Sequence, residues 1–187
     1  MKRLLEPDLI QAMRAALVDS EDYQFAKKQG LWRPAMTHAA KPWVDVKEQA
    51  NDNRGVFIDM IGLTVDRKHK GEAYCMAWVQ TILAFVELEL NLVSLLKPTE
   101  GCLDLWNSTP AYLKTTKYPL PGYIAIWQHG TSPAGHAGFV LSVKDVYFKT
   151  IEANSVGPDG ITQGIFEHER LFNDSGNMKL LGFISPF

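Results

Sequence analysis

Gly71-Glu72-Ala73-Tyr74-Cys75-Met76-Ala77-Trp78-Val79 places a glycine-bearing loop directly before a long apolar run and delivers a cysteine to the point where a helix starts. A helix N-terminus carries partial positive charge and unbonded N–H groups, and both favour a thiolate over a thiol. Cysteines in such positions titrate at roughly 3.5–7.5 instead of about 8.5. A cysteine before an apolar helix is also a common core residue, so the chemistry has to come from what the rest of the chain brings to it.

Downstream, Trp78, Val79, Ile82, Leu83, Phe85, Val86 and Leu90 cover more than one helical face, which predicts a central, largely buried helix over 75–92. Its longest fully apolar run, 82–86, is far short of the ~20 residues a membrane span needs. A shorter helical segment is expected over 102–113, ending at Pro110 or soon after. Beyond it the apolar period changes from 3.6 to 2. Strands are expected at 123–127, 136–143, 146–153, 161–168 and 178–184, with turns at Pro119-Leu120-Pro121-Gly122 and Gly157-Pro158-Asp159-Gly160 and a hairpin loop over 128–135.

Upstream, Val56, Phe57, Met60, Ile61 and Leu63 predict a helix within 54–65. Residues 31–53, with Trp32, Pro34, Pro42 and Trp43, read as irregular, and His38 as a surface residue. Over 1–30, Pro7 suits a first helical turn. Ser20 followed by Glu21 and Asp22 suits a second helix start, and Lys27-Lys28 before Gly30 suits its end. Helices first and strands afterwards imply an α+β fold with helices on one side of a five- or six-stranded antiparallel sheet. The expected division is a helical N-terminal extension, 1–53, and a main domain, 54–187.

The 187 residues, 46% of them apolar, suit one sizeable core, and a net charge of −2 argues against a general nucleic-acid binder. The densest basic run, Arg67-Lys68-His69-Lys70, reads as a solvated loop or as an attractor for carboxylates. The two cysteines have no zinc-finger spacing, and no metal or other cofactor is expected. Both are expected as reduced thiols, because a bridge would disable a nucleophilic Cys75. Cys102, among Leu103, Leu105 and Trp106, reads as core.

A catalytic thiol needs a base within hydrogen-bond reach and a third group to orient it. His136 opens a strand, and alternation puts it on one face with Gly138 and Val140. Thr150, Glu152 and Asn154 share a face in the next strand, so Glu152 or Asn154 can orient the imidazole. His129, in the hairpin loop, is expected near the cleft mouth, and Trp127 is a cleft-lining candidate. The backbone N–H of Cys75 is the natural oxyanion donor, with the Tyr74 hydroxyl either assisting or simply packed. A cysteine on a helix, a histidine on a strand and Glu/Asn on the next strand is the papain-like order.

These blocks resemble the CHAP family of peptidoglycan hydrolases, within the NlpC-type, papain-like cysteine peptidases. Gly71 to Val79 is similar to its cysteine block. Pro121-Gly122 with Gly135-His136-Ala137-Gly138-Phe139-Val140 resembles its Pro-Gly-Asp and Gly-His-Val-Gly blocks, and Ile151-Glu152-Ala153-Asn154 its Glu-x-Asn. Gly182-Phe183-Ile184-Ser185-Pro186 is similar to its closing strand. Tyr123 stands where the family has aspartate, and Met76 where it has alanine. The resemblance implies Cys75 as nucleophile, His136 as base, and Glu152 with Asn154 as the orienting pair. It further implies hydrolysis of an amide in peptidoglycan stem peptides or cross-bridges through a thioester, as in an endolysin or an antibacterial effector, the latter with a secretion or immunity partner. No apolar signal segment follows Met1-Lys2-Arg3, so cytoplasmic synthesis and action on the wall after lysis or dedicated export are expected, without membrane insertion. The alternatives are thiol amidase or acyltransferase chemistry on a non-wall substrate, and an inactive papain-like fold used as a binding module.

Overall fold

The computed structural model describes residues 3–173 and 176–187. Among them are the helices α1 (Pro7–Leu17), α2 (Glu21–Lys28), α3 (Trp32–Ala40), α4 (Val56–Gly62), α5 (Cys75–Leu90) and α6 (Cys102–Ser108). The strands are β1 (Lys114–Thr115), β2 (Ile124–His129), β3 (Gly135–Lys144), β4 (Tyr147–Val156), β5 (Gln163–Leu171) and β6 (Met178–Ile184). They form one six-stranded antiparallel sheet in the order β1-β6-β2-β3-β4-β5. The fold is α+β, with most helices before the strands. No helix among the described residues is long and apolar enough to cross a membrane.

Local chemistry accounts for the helix ends. Pro7 opens α1, where its missing N–H has no helical partner to lose. The Ser20 hydroxyl accepts the Tyr23 N–H at 3.3 Å, and acids in the first turn of α2 with lysines in its last turn complement the helix dipole. α5 stops at Asn91, whose left-handed φ of 53° is one that asparagine tolerates.

α3 corrects the irregular reading of 31–53. Pro34 falls in the first turn of that helix, where proline breaks no hydrogen bond, and Ala35, Met36, Ala39 and Ala40 are buried. Tertiary burial, invisible as a strong local period, forms the helix, and His38 on it is half-buried rather than at the surface.

α5 is the centre. Every residue from Cys75 to Val86 is buried. One cluster joins Leu9, Met13 and Met36 of the first helices to α5 and to the sheet face carrying Ala137, Phe139, Ile151 and Ala153. Strand alternation sends Trp127, Val140 and Phe148 to the opposite face, where they form a second cluster with Phe183. His136 and Glu152 alternate with the helix-facing residues and stand on this second face.

Candidate active site

Cys75 is the first residue of α5, 5% exposed, with Tyr74 as N-cap. Its side chain hydrogen-bonds with Cys102 and with His136, and the Ala137 backbone N–H also points to the sulfur. The sulfurs of Cys75 and Cys102 are 3.7 Å apart. The Cys102 S–H donor, followed by the His136 hydrogen bond and charge, outweighs burial and holds Cys75 well below an ordinary thiol. Cys102 shifts upward, first because its S–H is held in the hydrogen bond to Cys75, then because burial and the neighbouring Cys75 charge disfavour a second thiolate. Of the two thiols, Cys75 is thus the one that gives up its proton more readily.

His136 sits at the start of β3, paired with Trp127 of β2. Its Nε2 is 2.9 Å from Oε2 of Glu152, a carboxylate with 0% exposure on β4. With Nε2 on the carboxylate, Nδ1 is the ring atom left for Cys75. Burial pulls the His136 pKa down, but the Cys75 and Glu152 hydrogen bonds and charges outweigh it and push it up to about 10. The same contacts favour a thiolate on Cys75 beside an imidazolium on His136. Gly138 makes room for this pairing: a Cβ there would lie 2.6 Å from the Glu152 Cγ.

Glu152 is held in turn. Thr150 Oγ1 donates to its Oε1 at 2.5 Å, Arg170 Nε donates to Oε1 at 2.8 Å, and Arg170 Nη2 donates to Oε2. Burial raises the carboxyl pKa, yet Arg170 and then His136 hold it below the usual carboxylate range. Arg170, on β5, lies over the Trp127 ring at 5.7 Å. The chain from sulfur to guanidinium thus alternates in charge: Cys75, His136, Glu152, Arg170.

This chain borders an open cleft of about 580 Å³ whose lining includes Cys75, His129, His136, Asn154, His168 and Arg170. The His129 ring centre is 6.5 Å from that of His136, so His129 stands at the cleft as expected. Other expectations need correction. Asn154 borders the cleft, but its left-handed φ of 55° breaks the strand alternation that would have aligned it with Glu152. Its amide donates to Asn53 Oδ1 at 2.7 Å instead of touching His136. Trp127 is 2% exposed and packed behind His136, 5.8 Å between ring centres, as a wall and not a cleft-lining group. The Tyr74 hydroxyl is fully buried, donating to Glu48 at 3.3 Å and meeting the Asn154 backbone N–H, so it is no oxyanion donor. Burial and the nearby Glu48 charge raise its pKa. Cys102, read as core, is buried but faces the Cys75 sulfur.

Arg170 and Cys102 escaped the sequence reading. In β5, Thr150 pairs with His168 and Phe148 with Arg170, so His168 and Arg170 share the Glu152 face. The alternation Phe166-His168-Arg170 against Glu167 and Glu169 was the available signal. The segment before the site also braces it. Asn53 donates to the Gly71 carbonyl at 2.8 Å, accepts from Asn154, and its own carbonyl meets His69 Nε2 at 2.8 Å. The cysteine loop is thereby tied both to β4 and to the chain before α4. Among the described residues, no group of three or more His, Cys, Asp or Glu side chains is arranged to hold a metal ion.

Residues 66–154 match the family model of the CHAP domain. That segment is similar to a CHAP domain. The matched segment starts just before the cysteine loop and ends at Asn154, so it contains Cys75, His136 and Glu152 and stops short of Arg170. The CHAP family is hydrolytic, of the amidase and peptidase type. No curated protein matches the chain.

Proposed function

We propose that this CHAP domain is a cysteine hydrolase that cleaves an amide bond in bacterial peptidoglycan, in the stem peptide or cross-bridge. The observation that carries this reading is the Cys75–His136–Glu152 relay opening onto a cleft inside a CHAP domain. The Cys75 thiolate attacks the amide carbonyl. The Cys75 backbone N–H, in the first turn of α5, faces the developing oxyanion. The His136 imidazolium gives its proton to the departing amine, leaving a thioester on Cys75. Neutral His136 then takes a proton from water, the hydroxide adds to the thioester, and collapse releases the carboxylic acid and restores the thiolate–imidazolium pair. Glu152, fixed by Arg170, keeps the ring in the orientation and charge state that each step needs.

The rate should follow a bell in pH. On the acid side activity rises as Cys75 loses its proton, well below the range of an ordinary thiol. On the alkaline side it falls near pH 10, where His136 becomes neutral and no longer protonates the leaving amine. Initial rates on a soluble peptide substrate across this range check both limbs.

The substrate is tested by digesting purified peptidoglycan with the reduced protein and with protein whose thiols are blocked by iodoacetamide. Fragments from the unblocked protein alone, with a new amine and a new carboxyl at one amide, support the reading and identify the bond. New glycan reducing ends, or no fragments from a folded protein, would contradict it.

A further inference from the structure

The two buried thiols of the site suggest more than packing. Cys75 and Cys102 are both free and each 5% exposed, on the first residues of two different helices, with their sulfurs 3.7 Å apart. Cys102 is wedged against the strand that carries His136: a Cβ at Gly135 would lie 2.9 Å from the Cys102 Cβ. Cys75 borders the cleft, whereas Cys102 is not part of its lining. A reagent entering the cleft therefore meets Cys75 first, with Cys102 directly behind it.

We propose that Cys102 is a resolving thiol and that the pair is a site of reversible oxidation by small-molecule disulfides, forming a Cys75–Cys102 bridge that switches the enzyme off. The activity part of the proposal rests on Cys75 being the nucleophile. Bridging needs the sulfurs to close from 3.7 Å to about 2.05 Å.

The chemistry balances. The Cys75 thiolate attacks one sulfur of the disulfide, forming a mixed disulfide and expelling one thiolate, which takes the proton held on His136. The Cys102 sulfur then attacks the Cys75 sulfur of the mixed disulfide. It expels the second small thiol, which leaves with the Cys102 proton. Two protein thiols are oxidised and one small disulfide is reduced to two thiols. The roles follow from thiolate character and access: the lower-pKa, cleft-facing thiol attacks, and the protonated one behind it resolves.

The test uses the full chain, fully reduced and then incubated with oxidised glutathione. Intact mass under non-reducing conditions and hydrolysis relative to the same protein's reduced rate are read together. The wild type is expected to lose about 2 Da with no lasting glutathione adduct. Its activity should fall more than ~10-fold and return with dithiothreitol. Cys102→Ala is expected to stop at a one-glutathione adduct on Cys75, and near-UV circular dichroism confirms that it is folded. A wild type that accumulates the glutathione adduct, or keeps both thiols while a Cys75 adduct forms on Cys102→Ala, overturns the proposal without needing the variant's activity. A bridge that forms in a protein with no hydrolytic activity would leave the thiol pair standing and remove the wall-hydrolase reading instead.

Discussion

Replacing Cys75 or His136 with alanine is expected to remove amide hydrolysis almost completely, by on the order of 10⁶-fold for either one if the pair acts as a unit. The two side chains hydrogen-bond to each other, and each one's charge supports the other's. Without His136 the thiolate loses its imidazolium partner and the departing amine loses its proton source. Without Cys75 nothing attacks. The double variant should therefore be scarcely worse than either single one, a non-additivity that independent contributions would not produce. The measurement is kcat/KM on one soluble peptide amide for the wild type, the two single variants and the double variant. Losses that multiply in the double variant would mean that the two residues act separately.

Glu152→Ala is expected to have the largest effect on stability, about 3–5 kcal/mol, read by urea denaturation. Glu152 is fully buried and receives the Arg170 fork, the Thr150 hydroxyl and His136. Its removal deprives a guanidinium, a hydroxyl and an imidazolium of their shared anion. A like-sized apolar pair avoids that penalty, so Glu152→Leu combined with Arg170→Met should be more stable than Glu152→Leu alone. Activity should stay low in both, because the His136 ring has lost the carboxylate that orients it. The two effects can therefore be separated: stability follows the pairing of buried charge, and rate follows the carboxylate beside the ring. If Glu152→Leu were already as stable as the wild type, the buried carboxylate would not anchor Arg170, Thr150 and His136.

Local signals in the sequence were strong where they reflected a repeating pattern. The apolar faces of α5, the switch from helical to alternating period near residue 120, and the placing of Cys75, His136 and Glu152 on a helix start and two neighbouring strands were all legible. What escaped depended on tertiary placement. α3 carries a proline in its first turn and small residues on its buried side, and it packs against α2 and α5. Asn154 stood in the right alternation, but its left-handed backbone turns the amide towards Asn53. Tyr74 adjoins Cys75 in sequence, yet its hydroxyl reaches Glu48.

Cys102 and Arg170 were hidden for the same reason from opposite directions. Cys102 sits among apolar neighbours in sequence, which point to core, whereas its spatial neighbour is the Cys75 sulfur, 27 residues away. Arg170 lies in a charged segment whose strand register, not its composition, brings it to Glu152. Pairing partners distant along the chain complete this site, and no local spacing announces them.

The central claim is that Cys75 exists as a thiolate held against the His136 imidazolium. It is tested most directly by the pH dependence of Cys75 alkylation in the reduced full chain, using limiting iodoacetamide and counting label on the Cys75 peptide by mass spectrometry. A midpoint well below the ~8.5 of a free thiol is expected, shifting upward in His136→Ala. A midpoint at or above that value in the wild type, unmoved by His136→Ala, would contradict it.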